Sequence, residues 1–206
     1  MRFKHSFVCF DEVLPKRFCQ DLIDYGNEKI PEIGVVGGLE KLPDNQKDIS
    51  KLYKTRNSSI VWMNEPWIYR HILPYVHDAN KVADWNFELT KPEICQWTKY
   101  SEQQHYTWHQ DSWLEPNKNP KSDLYGLIRK LSVTVSLADG ETYEGGDLEF
   151  DLRDSSDGSP NRIVSHNSRK IGSVVVFPSF MWHRVSPVTK GTRYSLVIWY
   201  NGEPFK

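Results

Sequence analysis

Two histidines and one aspartate are the residues of this chain best suited to bind a metal ion. The segment YTWHQDSW places His109 and Asp111 two residues apart, and alternate side chains of an extended strand project from the same face. Further along the chain, FPSFMWHRV supplies His183. Two imidazoles and one carboxylate, without a thiolate, suit ferrous iron and leave coordination positions open for other ligands. The pattern therefore predicts a mononuclear iron site.

An arginine that follows the second histidine adds a further component to this motif. In the run GTRYSLVIWY, alternation places four residues on one face, namely Arg193, Ser195, Val197 and Trp199. If that face points into a barrel, Arg193 is a buried cation that needs a carboxylate partner. A guanidinium can bind a carboxylate through two hydrogen bonds, and the partner is either a ligand or an acidic residue of the protein.

The composition excludes several kinds of partner. Among 206 residues, 26 Lys and Arg residues nearly balance 27 Asp and Glu residues, which leaves a formal net charge of −1. This charge favours neither nucleic acid nor an anionic membrane, and no apolar run approaches the ~20 residues of a membrane-spanning helix. The N-terminus lacks the pattern of a signal peptide. Three cysteines without a CxxC pair indicate neither a disulfide framework nor a thiolate zinc site, so we expect a cytoplasmic protein.

The length of the chain predicts a single domain over residues 1–206. Its first part, residues 1–84, is expected to be a support region for the residues described above. Apolar periodicity and turn residues predict four elements in this region: a strand over 3–10, a helix over about 15–29, a long loop over 34–57 and a second helix over 66–80. Pro74 is expected to kink or shorten the second helix.

The remainder, residues 85–206, is rich in strands. Runs of β-branched and aromatic residues between turn formers predict strands over 86–89, 93–100, 130–138, 147–151, 173–177 and 192–200. Their number and spacing favour a sandwich or a barrel. Two hydrophilic loops, over 112–126 and 152–170, are expected at one end of it.

Several of these segments together resemble a known family. The stretches RKLSVTVSLAD, YEGGDLEF with Gly145 and Gly146, and GSVVVFPSFMWHRVSPVTKGTRYSLVIWY are similar to iron(II)/2-oxoglutarate dioxygenases of the prolyl 4-hydroxylase type. The similarity is strongest to their bacterial and phage branch, the PKHD-type hydroxylases, and covers about residues 86–200. It implies a mainly β fold with supporting α-helices, the double-stranded β-helix or jelly roll, with the metal at its open end.

The resemblance also implies roles for individual residues. His109, Asp111 and His183 match the iron ligands, which form the catalytic set, and Arg193 matches the residue that binds the distal carboxylate of 2-oxoglutarate. Four further residues match positions around the cosubstrate, namely Tyr100, Ser136, Leu148 and Trp199. Ser136 stands where animal relatives have a tyrosine that also reaches the distal carboxylate. This difference bears on the affinity for 2-oxoglutarate and not on the class of reaction. Arg129 matches a substrate-binding arginine of some relatives, and Arg56 is a second candidate for substrate contact.

The activity implied is hydroxylation of a C–H bond that depends on Fe(II), 2-oxoglutarate and O2, with release of succinate and CO2 and stimulation by L-ascorbate. The prolyl-hydroxylase resemblance favours a prolyl residue in a peptide or protein as the substrate. The loops over 34–57 and 112–126 are expected to select it.

Three alternatives remain open from the sequence. A free small molecule could be the substrate, and a non-catalytic jelly-roll binding module could retain the same pocket. A zinc hydrolase could use the same three ligands, but it would give Arg193 no role. A halogenase is disfavoured by Asp111, because that chemistry generally lacks the carboxylate ligand.

Overall fold

The computed structural model describes residues 5–34, 46–112, 115–153 and 159–205. Three α-helices are present among them: α1 Lys16–Asn27, α2 Gln46–Thr55 and α3 Pro66–Val82. The strands are β1 Val8–Phe10, β2 Glu32–Ile33, β3 Arg56–Asn57, β4 Ser59–Met63, β5 Lys91–Pro92, β6 Cys95–Tyr100, β7 His105–His109, β8 Ile128–Ser136, β9 Tyr143–Gly145, β10 Leu148–Asp151, β11 Arg162–Val164, β12 Val174–Pro178, β13 Trp182–Val185, β14 Val188–Gly191 and β15 Arg193–Gly202.

Two antiparallel sheets form the body of the protein. The larger sheet has the order β1-β12-β8-β15-β6-β4-β2, with β5 added to β15, and the smaller has the order β11-β10-β13-β7-β3. Strands β9 and β14 pair as a separate ribbon. Strands remote in sequence lie side by side in both sheets, which confirms the predicted jelly roll with supporting helices.

The larger sheet separates an apolar layer from a polar one. Along β8, Leu131, Val133 and Val135 join the buried cluster that includes the apolar faces of α1 and α3. The alternate residues Ser132 and Thr134 are also buried and point to the opposite side, towards the smaller sheet. Helices α1 and α3 thus cover one face of the larger sheet, while its other face lines the interior between the sheets.

Helices α1 and α3 occupy the two segments predicted to be helical. Pro74 lies inside α3, yet the helix continues to Val82, beyond the predicted end at residue 80. Ile68, Ile72 and Val76 of this helix are fully buried against the sheet. Their burial, at about 1.5–3 kcal/mol for each side chain, offsets the cost of about 3 kcal/mol for an internal proline. Pro74 therefore does not shorten the helix, and the alternative effect, a kink, stays a prediction.

The early loop predicted over 34–57 contains a helix instead. Residues 35–45 lie outside the described residues, but α2 and β3 occupy 46–57. Asp48 in the first turn and Lys54 in the last turn of α2 suit the helix dipole, and Leu52 is buried. Ile49, Leu52 and Tyr53 have the three- and four-residue spacing of a helix, so the prediction of a loop, which relied on the polar composition of the segment, was wrong for residues 46–55.

The strand predicted over 86–89 is absent from the structure, where these residues have no regular secondary structure. The Asn80 side chain explains this, because its Nδ2 donates to the Phe87 carbonyl and its Oδ1 accepts from the Phe87 amide. A side chain of α3 thereby takes the two backbone groups that a neighbouring strand would bind. Nine of the described strands lie outside the predicted set, namely β2, β3, β4, β5, β7, β9, β11, β13 and β14. Of these, β11 falls within the segment 152–170, which was predicted to be a loop. Within the described residues, none of the helices is both long and apolar enough to cross a membrane.

Candidate active site

The three predicted metal ligands converge between the two sheets. Strand β7 ends at His109, and its antiparallel pairing with β13 places His183 directly opposite. Asp111 follows two residues after the end of β7, and one ligand atom from each residue lies within 4.8 Å of the others. Nε2 of His109 is 3.6 Å from Oδ1 of Asp111, and Nε2 of His183 is 3.4 Å from Oδ2. The arrangement can hold one ion from three sides.

Backbone contacts set the tautomer of both histidines. Nδ1 of His109 donates to the carbonyl of Thr107 at 2.8 Å, and Nδ1 of His183 donates to that of Met181 at 2.9 Å. Because a carbonyl only accepts, each Nδ1 carries the proton and each Nε2 lone pair is left towards Asp111. Such hydrogen bonds orient metal-binding imidazoles and raise their basicity. The donor set therefore fits a divalent transition metal ion such as Fe(II).

Asp111 is held by its own set of contacts. Ser132 Oγ donates to Oδ2 at 2.7 Å, and the Asp111 amide donates to the Ser179 carbonyl at 2.8 Å. Burial alone would raise the pKa of Asp111, but the adjacent His183 and His109 hold that pKa well below its usual range. Burial, together with the neighbouring His109, lowers the pKa of His183 to about 4. At neutral pH the site thus presents a carboxylate beside a neutral His183, the states that bind a cation.

Arg193 lies in the same pocket and is 3% exposed. Its Nη1 donates to Ser195 Oγ at 3.0 Å, and its guanidinium lies 5.4 Å from the centre of the Tyr100 ring. Within the described parts of the chain, no carboxylate forms an ion pair with it. The predicted burial of Arg193 is confirmed. The sequence left two possible partners, a ligand carboxylate or an acidic residue of the protein, and none of the described acidic residues pairs with it. A buried unpaired cation is costly, so the pocket is suited to a ligand carboxylate.

Two further polar groups of the pocket lack partners. Thr98 Oγ1 and Trp199 Nε1 are buried without a hydrogen bond among the described residues, and both residues line the pocket. Thr98 lies opposite Ser195 in the pairing of β6 with β15, next to the group that Arg193 contacts. The prediction from sequence omitted Thr98, although its position two residues before Tyr100 places both on one face of β6.

The remaining cosubstrate positions divide into two groups. Tyr100, Leu148 and Trp199 line the pocket and are almost fully buried. Ser136 is buried but is not among the pocket residues, and its hydroxyl donates to the Ala138 carbonyl at 3.1 Å. A cosubstrate contact of Ser136 stays a prediction, and its hydroxyl already has an acceptor.

Both predicted substrate arginines are held by other side chains. Nε and Nη2 of Arg129 each donate to the Glu93 carboxylate at 2.7 Å, and the guanidinium lies 3.9 Å from the centre of the Trp199 ring. Arg56 begins β3, lines the pocket and lies 4.7 Å from the centre of the Tyr106 ring.

Tyr106 connects Arg56 to the metal ligands, because its ring stacks on His109 at 3.5 Å with an interplanar angle of 12°. Arg56 also donates to Ser58 Oγ and Gln96 Oε1. The stack of guanidinium, phenol and imidazole fixes the plane of the His109 ring.

The loop predicted over 112–126 has no helix or strand in its described part. Residues 113–114 lie outside the described residues. The rest is closed by hydrogen bonds from the Asn117 amide to the Leu127 carbonyl and from the Gly126 amide to the Asn117 carbonyl.

Comparison with known proteins agrees with this geometry. The model of the 2OG-Fe(II) oxygenase superfamily matches residues 95–201, a span that contains the three candidate ligands and Arg193. A PKHD-type hydroxylase from Alteromonas mediterranea is 33% identical over 199 residues, which are 93% of this chain and 76% of that protein. One from Teredinibacter turnerae is 34% identical over 94 residues, 46% of this chain and 36% of that protein.

Solved structures with the same fold include prolyl hydroxylases. A viral collagen prolyl hydroxylase from Paramecium bursaria Chlorella virus-1 has a TM-score of 0.64 at 17% identity, over 96% of this chain and 97% of that chain. A Pseudomonas putida prolyl-4-hydroxylase also has a TM-score of 0.64, at 18% identity, over 97% and 94%. A Trichoplax adhaerens prolyl hydroxylase, solved with a hypoxia-inducible-factor peptide fragment, has a TM-score of 0.61 at 17% identity, over 95% of this chain and 83% of that chain. The superfamily match and the Alteromonas relative show that this chain is a 2OG-Fe(II) oxygenase of the PKHD-type hydroxylase group.

Proposed function

We propose that this protein hydroxylates a prolyl residue in a peptide or protein. The C–H bond, O2 and 2-oxoglutarate are converted into C–OH, succinate and CO2, so that one oxygen atom enters each organic product. The observation that carries this proposal is the burial of Arg193, without an acidic partner among the described residues, in the pocket of His109, Asp111 and His183. One pocket thereby combines a divalent-metal site with a site for a carboxylate.

The residues of the pocket have distinct tasks in this proposal. His109, Asp111 and His183 hold Fe(II), and Arg193 binds the distal carboxylate of 2-oxoglutarate through its guanidinium. When bound, Fe(II) and 2-oxoglutarate supply the activation of O2 and the transfer of oxygen. The formal charges of Fe(II), the Asp111 carboxylate, the 2-oxoglutarate dianion and the Arg193 guanidinium cancel, which makes their shared burial affordable in a water-poor pocket.

Unpartnered groups and apolar walls complete the cosubstrate site. The Thr98 hydroxyl can donate to the same distal carboxylate, since it lies across the strand pair from Ser195, which Arg193 contacts. Leu148 and Trp199 exclude water from the space beside the metal ligands. Tyr100 lies against the guanidinium and limits its movement.

The choice of a prolyl peptide over a free small molecule is supported by the relatives. The viral and Pseudomonas structures are named as prolyl hydroxylases, and the Trichoplax structure contains a peptide fragment. Arg129 and Trp199 stack on each other at the pocket, with Trp199 in its wall, and we assign them to contact with the substrate backbone and the prolyl ring.

Incubation with Fe(II), 2-oxoglutarate and a panel of proline-containing peptides tests this proposal. We expect a peptide mass increase of one oxygen atom with equal formation of succinate, under air but not under nitrogen, and a higher rate with L-ascorbate. His109→Ala and Asp111→Ala should abolish both products. His105→Ala is the matched control, because His105 lies on the same strand and its ring contacts the backbone carbonyls of Gln103 and Lys54 instead of the metal ligands.

Other outcomes identify the alternatives. Wild-type rates in Asp111→Ala would refute the assigned ligand set. Cleavage of a peptide by water under nitrogen, without succinate formation, would favour a zinc hydrolase. Binding of 2-oxoglutarate without turnover of any compound would favour a binding module. Turnover of free small molecules but no peptide would reassign the substrate.

A further inference from the structure

A second, larger cavity lies next to the active-site pocket. It is a groove of about 870 Å³ between the N-terminal part of α3, the end of β4, the segment 91–94 and the loop before β8. We call it the rim groove and define it by Trp62, Tyr69, Arg70, Glu93, Ile94 and Leu124. None of these residues is a metal ligand or lines the metal pocket.

The rim groove and the active-site pocket share one wall. Trp62 lies in the groove and its ring centre is 6.3 Å from that of Trp199, which lines the pocket. Glu93, also in the groove, binds Arg129, and Arg129 lies on the other side against Trp199. A peptide that places one residue beside Trp199 and continues past this shared wall brings its next residues over Trp62 and Glu93.

The surface of the groove is apolar and partly open to solvent. Trp62 is 39% exposed and Ile94 is 45% exposed, although exposed side chains of this size are costly to leave in water. Pro66 and Pro92 form further parts of the lining. Grooves lined by aromatic and proline side chains suit extended peptides, particularly proline-rich ones in the polyproline II conformation.

The charges of the groove are paired with one exception. Lys91 forms an ion pair with Asp123, and Glu93 forms one with Arg129. Arg70 is exposed on α3, and no ion pair of Arg70 is found within residues 5–34, 46–112, 115–153 and 159–205. An acidic side chain is therefore the complementary group for an occupant of this groove.

We propose that the rim groove binds the segment of a peptide substrate that flanks the target prolyl residue, with apolar side chains on Trp62 and Ile94 and an acidic side chain at Arg70. The proposal rests on the proposed function, because it assumes that the target residue is part of a peptide. It adds that the enzyme selects its substrate at a distance from the reacting bond. Leu124, from the loop predicted to influence substrate choice, forms part of the same groove.

Equilibrium binding to the full-length protein tests this, under nitrogen with Mn(II) and 2-oxoglutarate present. The probes are a three-residue prolyl peptide and two twelve-residue peptides that extend it with Leu, Pro and Asp, one on the N-terminal side and one on the C-terminal side. One extended peptide should bind at least about tenfold more tightly than the short one, which is the effect expected from burying one or two apolar side chains. Replacing its Asp by Lys should remove part of that gain.

Two groove variants and one matched control locate the effect. Ile94→Glu and Arg70→Glu should each lose most of the gain of the extended peptide and leave the short peptide unaffected. Ile30→Glu makes the same change at an isoleucine that is 93% exposed and lies outside the groove, so it should retain the gain. Arg70→Glu should also bind the Lys peptide better than the Asp peptide.

Equal binding of short and extended peptides, or a gain that survives both groove variants, would overturn the proposal. The binding measurement needs no turnover, so it is separate from the test of the reaction. Oxidation of the short peptide with no groove effect would leave the proposed function intact and refute the groove alone. Absence of 2-oxoglutarate turnover would count against the proposed function, whatever the peptides bind.

Discussion

Replacing Thr98 by valine should weaken 2-oxoglutarate binding and stabilise the protein in the absence of ligand. Valine has nearly the shape of threonine but lacks the hydroxyl, which is buried without a partner among the described residues and lines the pocket near Arg193. A hydrogen bond to a charged group contributes about 1.5–3 kcal/mol, which corresponds to an increase of about 10- to 150-fold in the Kd of 2-oxoglutarate.

The stability effect has the opposite sign for the same physical reason. Burial of an unbonded hydroxyl costs about 1–3 kcal/mol in protein mutational data, and valine removes that cost in the ligand-free protein. For a chain of this size, each kcal/mol raises Tm by about 2–4 °C. Loss of affinity together with a gain in Tm separates a ligand-binding hydroxyl from a structural one, whose removal would lower Tm.

The assay is titration of 2-oxoglutarate into the Mn(II)-loaded protein under nitrogen, followed by tryptophan fluorescence, with Tm measured by calorimetry on the metal-free protein. Thr98→Ser should keep the affinity close to wild type. Ser168→Ala is the control, because the Ser168 hydroxyl is buried, donates to the Ser165 carbonyl and does not line the pocket, so the Kd should be unchanged. An unchanged Kd in Thr98→Val, or a lower Tm, would refute the reasoning.

Three further predictions concern charged and titratable groups. Arg193→Leu should raise the Kd of 2-oxoglutarate at least about 100-fold while metal affinity, measured by Mn(II) titration, changes little; comparable 2-oxoglutarate binding would contradict the assigned carboxylate site. Glu93→Gln weakens the ion pair of Arg129. It should raise the KM of the peptide several-fold and leave the Kd of 2-oxoglutarate unchanged. Kinetics with both ligands varied would show whether the effect instead reaches the cosubstrate. Burial raises the pKa of Cys19 to about 11 and that of Cys95 to about 12, from 9.0. Their contribution to the free energy of unfolding is therefore fully present below pH 9 and is lost as the pH rises towards 11–12. Denaturant unfolding at pH 8 and pH 10 should show the loss, and it should be smaller in Cys19→Ala.

The metal site was accessible from sequence because it depends on local geometry. His109 and Asp111 are two residues apart, and alternation along an extended chain predicts that they lie on one side; in the structure Asp111 lies beyond the end of β7, where Ser132 and Ser179 hold it. The burial of Arg193 followed from the same alternation along β15. Strand β13, which carries His183, escaped prediction because its four residues, WHRV, contain two charged or titratable side chains and resemble a loop.

Other features depend on contacts between distant segments. Thr98 and Ser136 both lie opposite Ser195, but the Thr98 hydroxyl lines the pocket without a partner among the described residues, whereas the Ser136 hydroxyl donates to a carbonyl. No spacing in the sequence shows this difference. The segment 86–89 has strand composition, yet Asn80 binds the backbone of Phe87. Helix α2 is a different case, because Ile49, Leu52 and Tyr53 have helical spacing and were overlooked among the polar and charged residues of the segment.

The pairing of β3 with β7 has a consequence for how the protein unfolds. Strand β3 belongs to the first part of the chain, yet it pairs with the strand that ends at His109, and its Arg56 lies on the ring that stacks on that ligand. Strands β2 and β4 likewise extend the larger sheet. The first part of the chain therefore contributes Arg56 to the pocket lining and covers the edge of β7, and a fragment that begins at residue 85 would expose that sheet edge beside the metal ligands. The two parts should melt in a single cooperative transition, with the metal site lost at the same temperature as the helices.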